Sequence, residues 1–139
     1  MLIRQFLSVS LLLACAAAAQ AELVVVTNPA NNISSLPRSQ LSRIFLGQSG
    51  SFSDGSSAIA LDVSGGTRSQ FYREILGKEP GQIEKYWARM IFTGKAQPPR
   101  EIKVSDIKSV VAETPGAVSY IDSSKVDGSV KVLRIDAAR

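Results

Sequence analysis

Apolar and polar residues recur along this chain with two different periods, and each period predicts one kind of element. Residues 58–61 form a short apolar run that alternates with small residues, as in a buried strand. After the turn at 62–68, Phe71, Tyr72 and Ile75 recur at the spacing of one helix face. We therefore expect a strand, a Gly-rich turn and a helix, and this unit organises the rest of the chain.

The same two periods predict the remaining elements. Strands are expected over residues 23–28, 58–62, 117–121 and 130–135, and further helices around the apolar residues of 41–45, 83–91 and 107–111. The continuous β-branched run at 24–26 is typical of a strand buried on both faces of a parallel sheet. The order of the elements therefore predicts one α/β domain with helices on both faces of its sheet.

Residues with strong preferences for helix ends mark the expected boundaries. Thr67 and Gln70 have the spacing of a capping box, in which each side chain satisfies a backbone N–H at the helix start. Pro37 suits the first turn of the first helix, and Ser105 suits the cap of the last one. Three glycines are placed to end helices in the left-handed conformation, at Gly47, Gly77 and Gly94.

Residues 1–21 have the pattern of an export signal. Arg4 precedes an apolar core at 6–18, and Ala19-Gln20-Ala21 is the small-x-small pattern at which signal peptidase cleaves. The apolar core is shorter than the roughly 20 strongly apolar residues that span a membrane. We therefore expect a periplasmic protein whose mature chain begins at Glu22.

Cys15 offers an alternative to that cleavage. Leu12-Leu13-Ala14-Cys15 also fits a lipoprotein signal, in which Cys15 would be lipidated and become the N-terminus. If Cys15 is instead removed with the signal, the mature chain has no cysteine. Disulfides, cysteine nucleophiles and cysteine metal sites are then excluded.

The composition excludes several classes of function. The chain has no histidine, and so it lacks the usual general base, the commonest zinc ligand and the relay of serine proteases. Its net charge of +4 falls to +3 when Arg4 is removed, and its basic residues are not clustered with aromatic ones as in nucleic-acid-binding proteins. We expect one non-enzymatic domain without catalytic residues, metal, cofactor or nucleic-acid partner.

The turn at 64–68 is the candidate binding site. Its residues are Ser64, Gly65, Gly66, Thr67 and Arg68. Free N–H groups at the helix start, the positive end of the helix dipole, two hydroxyls and Arg68 converge there, and this combination favours a bound anion. A simpler interpretation is that the turn only joins the strand to the helix.

Four stretches of the chain together resemble a known family. They are Val-Val-Val-Thr-Asn-Pro at 24–29, with Asn32-Ile33 after it, Leu-Ser-Arg-Ile-Phe-Leu-Gly at 41–47, Gly-Thr-Arg-Ser-Gln-Phe at 66–71 and Thr-Pro-Gly-Ala-Val-Ser-Tyr at 114–120. In order and approximate spacing they resemble the phosphate-binding proteins of bacterial ABC transporters, within the periplasmic-binding-protein superfamily. The resemblance implies a single lobe of that fold over residues 22–139, with a mixed, mostly parallel sheet.

The resemblance also implies a function. It points to an exported solute-binding protein that holds phosphate or a related oxyanion for ABC-type phosphate transport, with a permease as partner. The chain departs from the family in two respects, because it matches only one of the two lobes that close over the anion and because Asp62 stands near the family's Arg. A carboxylate there repels an oxyanion.

Two consequences of these departures stay open. Self-association or a partner domain would supply the missing half of the cleft. Alternatively, the chain is a single-lobe adaptor or sensory interaction domain that has lost its ligand.

Overall fold

The computed structural model describes residues 22–136, which form six strands, four α-helices and one short 3₁₀ helix. The strands are β1 (Leu23–Thr27), β2 (Ser35–Pro37), β3 (Ile59–Val63), β4 (Arg100–Ile102), β5 (Ala117–Asp122) and β6 (Lys131–Asp136). The helices are α1 (Arg38–Phe45), α2 (Gly66–Glu74), α3 (Pro80–Phe92) and α4 (Ile107–Glu113), and the 3₁₀ helix is Ser123–Lys125. The predicted export signal, with Cys15 and the cleavage site, lies outside the described residues.

The strands form one mixed sheet in the order β2-β6-β1-β5-β3-β4. β3 is parallel to both β4 and β5, and β2 is parallel to β6, whereas β1 is antiparallel to β5 and to β6. Most pairings are therefore parallel, and the predicted α/β fold class is confirmed.

The prediction of a parallel environment for the first strand was wrong. Val25 and Val26 point to opposite faces of the sheet and are both buried, as the β-branched run suggested. That burial follows from the central position of β1 in the sheet, between β5 and β6, and it does not depend on the direction of the neighbouring strands.

An aromatic cluster packs the first two helices onto the sheet. The ring of Phe71 in α2 stacks on Tyr120 in β5 with centroids 4.0 Å apart, and Phe45 in α1 lies 4.8 Å from Phe71. All three residues are fully buried. The helix that follows the Gly-rich turn is therefore anchored in the core.

The glycine predictions for helix ends are confirmed, but the predictions for helix starts were wrong by one or two residues. Gly47, Gly77 and Gly94 have φ angles of 70°, 66° and 67°. By contrast, α1 has Pro37 as its N-cap residue, α4 begins at Ile107 after Asp106, and no side chain caps either helix.

The predicted capping box at the start of α2 was also wrong. Helix α2 begins at Gly66 with Gly65 as its N-cap residue, and no side chain caps it. Thr67 therefore lies inside the first turn, and the Gln70 amide donates to Glu74 Oε2 at 3.1 Å. The glycine conformation places the N-cap at Gly65, two residues earlier than the Thr67–Gln70 spacing suggests.

Helix α3 buries a narrower face than its apolar pattern predicts. Trp87 and Ile83 are buried, as expected of core residues, but Ile91 is 50 % exposed and Phe92 is 91 % exposed. Ile91 and Phe92 at the end of α3 therefore point away from the core, and the prediction that Ile91 belongs to the packed face was wrong.

Candidate functional site

The Gly-rich turn lies at the carboxyl end of β3. Ser64 N–H donates to the Ile102 carbonyl at 3.0 Å and so extends the pairing of β3 with β4. Gly65 then has φ 95° and ψ −160°, a conformation that essentially only glycine adopts. The chain turns there into α2, at the edge of the sheet where open α/β proteins bind ligands.

The turn exposes backbone donors at the positive end of a helix. Arg68 N–H bonds the Gly65 carbonyl at 3.2 Å, whereas the N–H groups of Gly66 and Thr67 lie in the first turn, where the helix offers no carbonyl to them. Gly65 and Gly66 are exposed, and a Cβ atom on either would meet no heavy atom within 4 Å. A small anion would have free access to these amides.

Asp62 lies directly beneath the turn and is fully buried, with 1 % of its surface exposed. Its Oδ1 accepts a hydrogen bond from the Tyr120 hydroxyl at 2.9 Å, and its Oδ2 accepts from the Tyr72 hydroxyl at 3.0 Å. The Tyr120 oxygen in turn accepts from Val63 N–H at 3.0 Å. Both carboxylate oxygens are therefore bonded within the protein and face away from solvent.

Arg68 compensates the charge of this buried carboxylate. Its Nε lies 3.3 Å from Asp62 Oδ2 and 3.8 Å from Glu101 Oε1, and its guanidinium carbon is 4.9 Å from the centre of the Tyr72 ring. The Arg68 side chain is 22 % exposed. Its positive charge is thus shared between two carboxylates before any ligand arrives.

The surroundings shift the proton affinities of this cluster. Burial raises the pKa of the Asp62 carboxyl, against the opposing effects of the Tyr120 hydroxyl, Arg68 and the Tyr72 hydroxyl. Burial, followed by the charge of Asp62, also raises the pKa of Tyr72 and of Tyr120. Both phenols consequently stay protonated and serve as donors to Asp62 throughout the physiological range.

A cavity of about 310 Å³ opens beside the start of α2. Half of its lining residues are apolar or aromatic, and the others are polar or charged. They are Leu23, Val63, Val104, Ile107, Tyr120 and Ile121, with Thr67, Gln70, Ser105, Lys108, Asp122 and Lys125. Of the five predicted site residues, Thr67 is the one in this lining, and the other four lie in the turn next to it.

Sequence reasoning missed the partners of Asp62 and most of the cavity lining. Tyr72 and Tyr120 were expected only as an apolar helix position and as part of a strand motif. A tyrosine in place of phenylalanine at a core position indicates that its hydroxyl has a buried partner. That signal was present in the sequence, but it does not identify Asp62 as the partner.

Two further properties of residues 22–136 bear on the site. None of the helices in this part of the chain is long and apolar enough to cross a membrane. Within the same residues, no group of three or more His, Cys, Asp or Glu side chains could hold a metal ion.

Solved structures of phosphate-binding proteins share this fold. An ABC-type phosphate transport receptor from Vibrio cholerae is similar with a TM-score of 0.62 and 22 % identity, over 84 % of this chain and 47 % of that one. PstS from Borrelia burgdorferi has the same TM-score of 0.62 at 14 % identity, over 84 % of this chain and 48 % of that one.

A third similar structure, from Clostridium perfringens, was solved with bound phosphate. It has a TM-score of 0.62 and 22 % identity, over 84 % of this chain and 46 % of that one. No protein-family model and no curated protein sequence matches this chain. The comparisons therefore establish the periplasmic-binding-protein fold, and the chain spans about half the length of the structures that it matches.

Proposed function

We propose that this protein binds phosphate or a related oxyanion at the turn 64–68, as an exported component of ABC-type phosphate transport. The N–H groups of Gly66 and Thr67, which have no backbone carbonyl partner at the start of α2 and lie at the carboxyl edge of the sheet, are the observation that carries the proposal. The fold supports it, because structural neighbours of the same fold are phosphate transport receptors. Export rests on the signal pattern of residues 1–21.

Backbone amides supply most of the binding in this proposal. Arg68 is already paired with Asp62 at 3.3 Å, so it adds less attraction than a free cation would. Glu101, near the same guanidinium, is exposed and opposes an anion weakly through solvent. The hydroxyls of Ser64 and Thr67 are further donors from the same turn.

A lone domain of this kind holds its ligand weakly. Gly65 and Gly66 are exposed, and water competes for every donor at an open site. A second protein surface over the turn would exclude water and add donors. We therefore infer that binding is strengthened by self-association or by a partner domain, with an ABC permease as the partner that transport requires.

The Arg68–Asp62 pair also favours a second candidate function. A domain that has lost its ligand and serves as an adaptor or sensory interaction module would retain the fold, and Arg68 would then only stabilise the buried carboxylate of Asp62. Titration with inorganic phosphate separates the two functions, because an adaptor of this kind has no affinity for it.

The test compares two proline variants at the same helix position. Thr67→Pro removes the N–H of the second residue of α2, and Gly81→Pro removes that of the second residue of α3, where a Cβ atom also meets no neighbour within 4 Å. Proline is tolerated in the first turn of a helix. We expect Thr67→Pro to abolish phosphate binding in calorimetry and Gly81→Pro to retain it.

Equal affinity of Thr67→Pro and the wild-type protein for phosphate would contradict the amide site. If the wild-type protein gives no heat of binding with millimolar phosphate, at low protein concentration and also at a high concentration that favours self-association, the adaptor function is favoured.

A further inference from the structure

The walls of the cavity beside α2 are poorly matched to an inorganic anion. A tetrahedral oxyanion has five non-hydrogen atoms and no apolar surface. At about 30 Å³ per water molecule, the cavity has the volume of roughly ten waters. Phosphate at Thr67 would therefore leave much of the cavity filled with water, beside the exposed apolar side chain of Val104.

The rim of the cavity carries an exposed apolar side chain. Val104 lies in the segment between β4 and α4, lines the cavity and is 44 % exposed. Contact with an apolar ligand group would remove part of that surface from water, which is favourable in proportion to the area covered. The position of Val104 thus suits a ligand larger than the anion alone.

The charges at the other end of the cavity are already balanced. Lys108 Nζ lies 2.7 Å from Asp127 Oδ2 and 3.4 Å from the Lys125 carbonyl oxygen. Asp122 and Lys125, which also line the cavity, have opposite charges. This end therefore provides no unbalanced cation for a second anionic group, which places the anionic group of a ligand at the other end, beside Thr67.

We propose that the cavity binds an oxyanion that carries an apolar group, such as a monosubstituted phosphate or phosphonate. The anionic group lies at the amides of Gly66 and Thr67, and the apolar group fills the cavity and covers the exposed side chain of Val104. This inference rests on the proposed function for the oxyanion, and it adds the class of ligand and the second half of the site.

Three probes test the inference in calorimetry with the purified protein. They are inorganic phosphate, phenylphosphonate and benzyl alcohol, which represent the anion alone, the anion with an apolar group and the apolar group alone. We expect phenylphosphonate to bind at least about tenfold more tightly than phosphate, because burial of the phenyl ring adds apolar contact. We expect no measurable binding of benzyl alcohol.

A pair of matched variants locates the apolar contact. Val104→Ser changes the rim of the cavity. Val132→Ser is its control, because Val132 of β6 does not line the cavity but is exposed to the same extent, 44 %. Val104→Ser should weaken the binding of phenylphosphonate about three- to fivefold and leave the affinity for phosphate unchanged. Val132→Ser should alter neither affinity.

The outcomes separate this inference from the proposed function. Equal affinities for phosphate and phenylphosphonate, with no effect of Val104→Ser, would overturn the inference and leave phosphate binding intact. Absence of binding by both anions would overturn the inference together with the proposed function. Benzyl alcohol that binds as tightly as phenylphosphonate would show that the anionic group contributes nothing, which also contradicts the inference.

Discussion

Asp62 holds the start of α2 in place through side chains from two elements. Its carboxylate accepts hydrogen bonds from Tyr72 of α2 and Tyr120 of β5, and Arg68 of α2 supplies the opposite charge. A buried carboxylate is stable only when it is paired and hydrogen-bonded. The residue that the sequence suggested as an obstacle to anions therefore positions the turn whose amides form the candidate site.

Removal of Arg68 should destabilise the fold more than removal of an exposed arginine in the same kind of pair. Arg68→Ala leaves the Asp62 carboxylate buried without its cation, and we expect the free energy of unfolding to fall by about 2 to 3 kcal/mol. Urea unfolding followed by the fluorescence of the single tryptophan, Trp87, measures this change.

Arg134→Ala is the matched control for Arg68→Ala. Arg134 Nε lies 3.3 Å from Asp136 Oδ1, the same distance as in the Arg68–Asp62 pair, but these two side chains are 77 % and 47 % exposed. We expect a loss below about 0.5 kcal/mol. Similar losses in the two variants would contradict a structural role for Arg68 beneath the turn.

The stability contributed by Asp62 should depend on pH in a direction set by its burial. Burial raises the pKa of its carboxyl above the ordinary 3.8, so the folded chain binds this proton more tightly than the unfolded chain does. At pH values between 3.8 and the raised pKa, Asp62 is protonated in a larger fraction of folded chains than of unfolded chains. The free energy of unfolding therefore falls as pH rises through that window.

Asp62→Asn isolates this effect, because the asparagine does not titrate. The free energy of unfolding of the wild-type protein minus that of Asp62→Asn should be largest below the window and should decline as pH rises through it. A difference that grows with pH would mean that Arg68 and the two tyrosines lower the carboxyl pKa more than burial raises it.

At the scale of the element, the strand–turn–helix unit depends on one glycine conformation. Gly65→Ala places a Cβ atom on a residue with φ 95° and ψ −160°, and we expect it to lower stability by about 1–3 kcal/mol and to displace the start of α2. Gly66→Ala is the control, since Gly66 is helical and a Cβ there meets nothing within 4 Å. Thermal unfolding of both variants, followed by circular dichroism, compares their stabilities. Equal melting temperatures would contradict the requirement for glycine at position 65.

The long periodic elements could be predicted from the sequence, and the short ones could not. The strand at 59–63 and the helix at 66–74 fall within one or two residues of the expected positions, because each has several apolar residues at a regular spacing. β2 and β4 were missed, since three residues at the edge of a sheet have no detectable period.

The candidate site was predictable as a turn but not as an arrangement of side chains. A Gly-Gly pair between a strand and a helix indicates the turn directly. The Asp62–Tyr120 contact joins residues 58 positions apart, and the Asp62–Tyr72 contact joins residues 10 apart on different elements. Such contacts follow from the packing of α2 on the sheet, which local patterns do not specify.

In the molecule as a whole, the candidate site is a turn at the exposed carboxyl edge of the sheet. The chain covers 46 % to 48 % of the length of the phosphate-binding structures compared above. Its turn is open to solvent, and exposed contacts with an anion contribute at most about 1 kcal/mol each. We therefore expect a dissociation constant for phosphate on the order of 1 mM for the isolated domain.

A titration of ¹⁵N-labelled protein with inorganic phosphate, followed by amide chemical shifts, tests whether phosphate binds at the start of α2. We expect the Gly66 and Thr67 amide resonances to shift most and to saturate together at millimolar phosphate, and we expect the neighbouring Arg68 resonance to shift with them. Unchanged Gly66 and Thr67 resonances at saturating phosphate, or largest shifts at residues outside the turn 64–68, would contradict it.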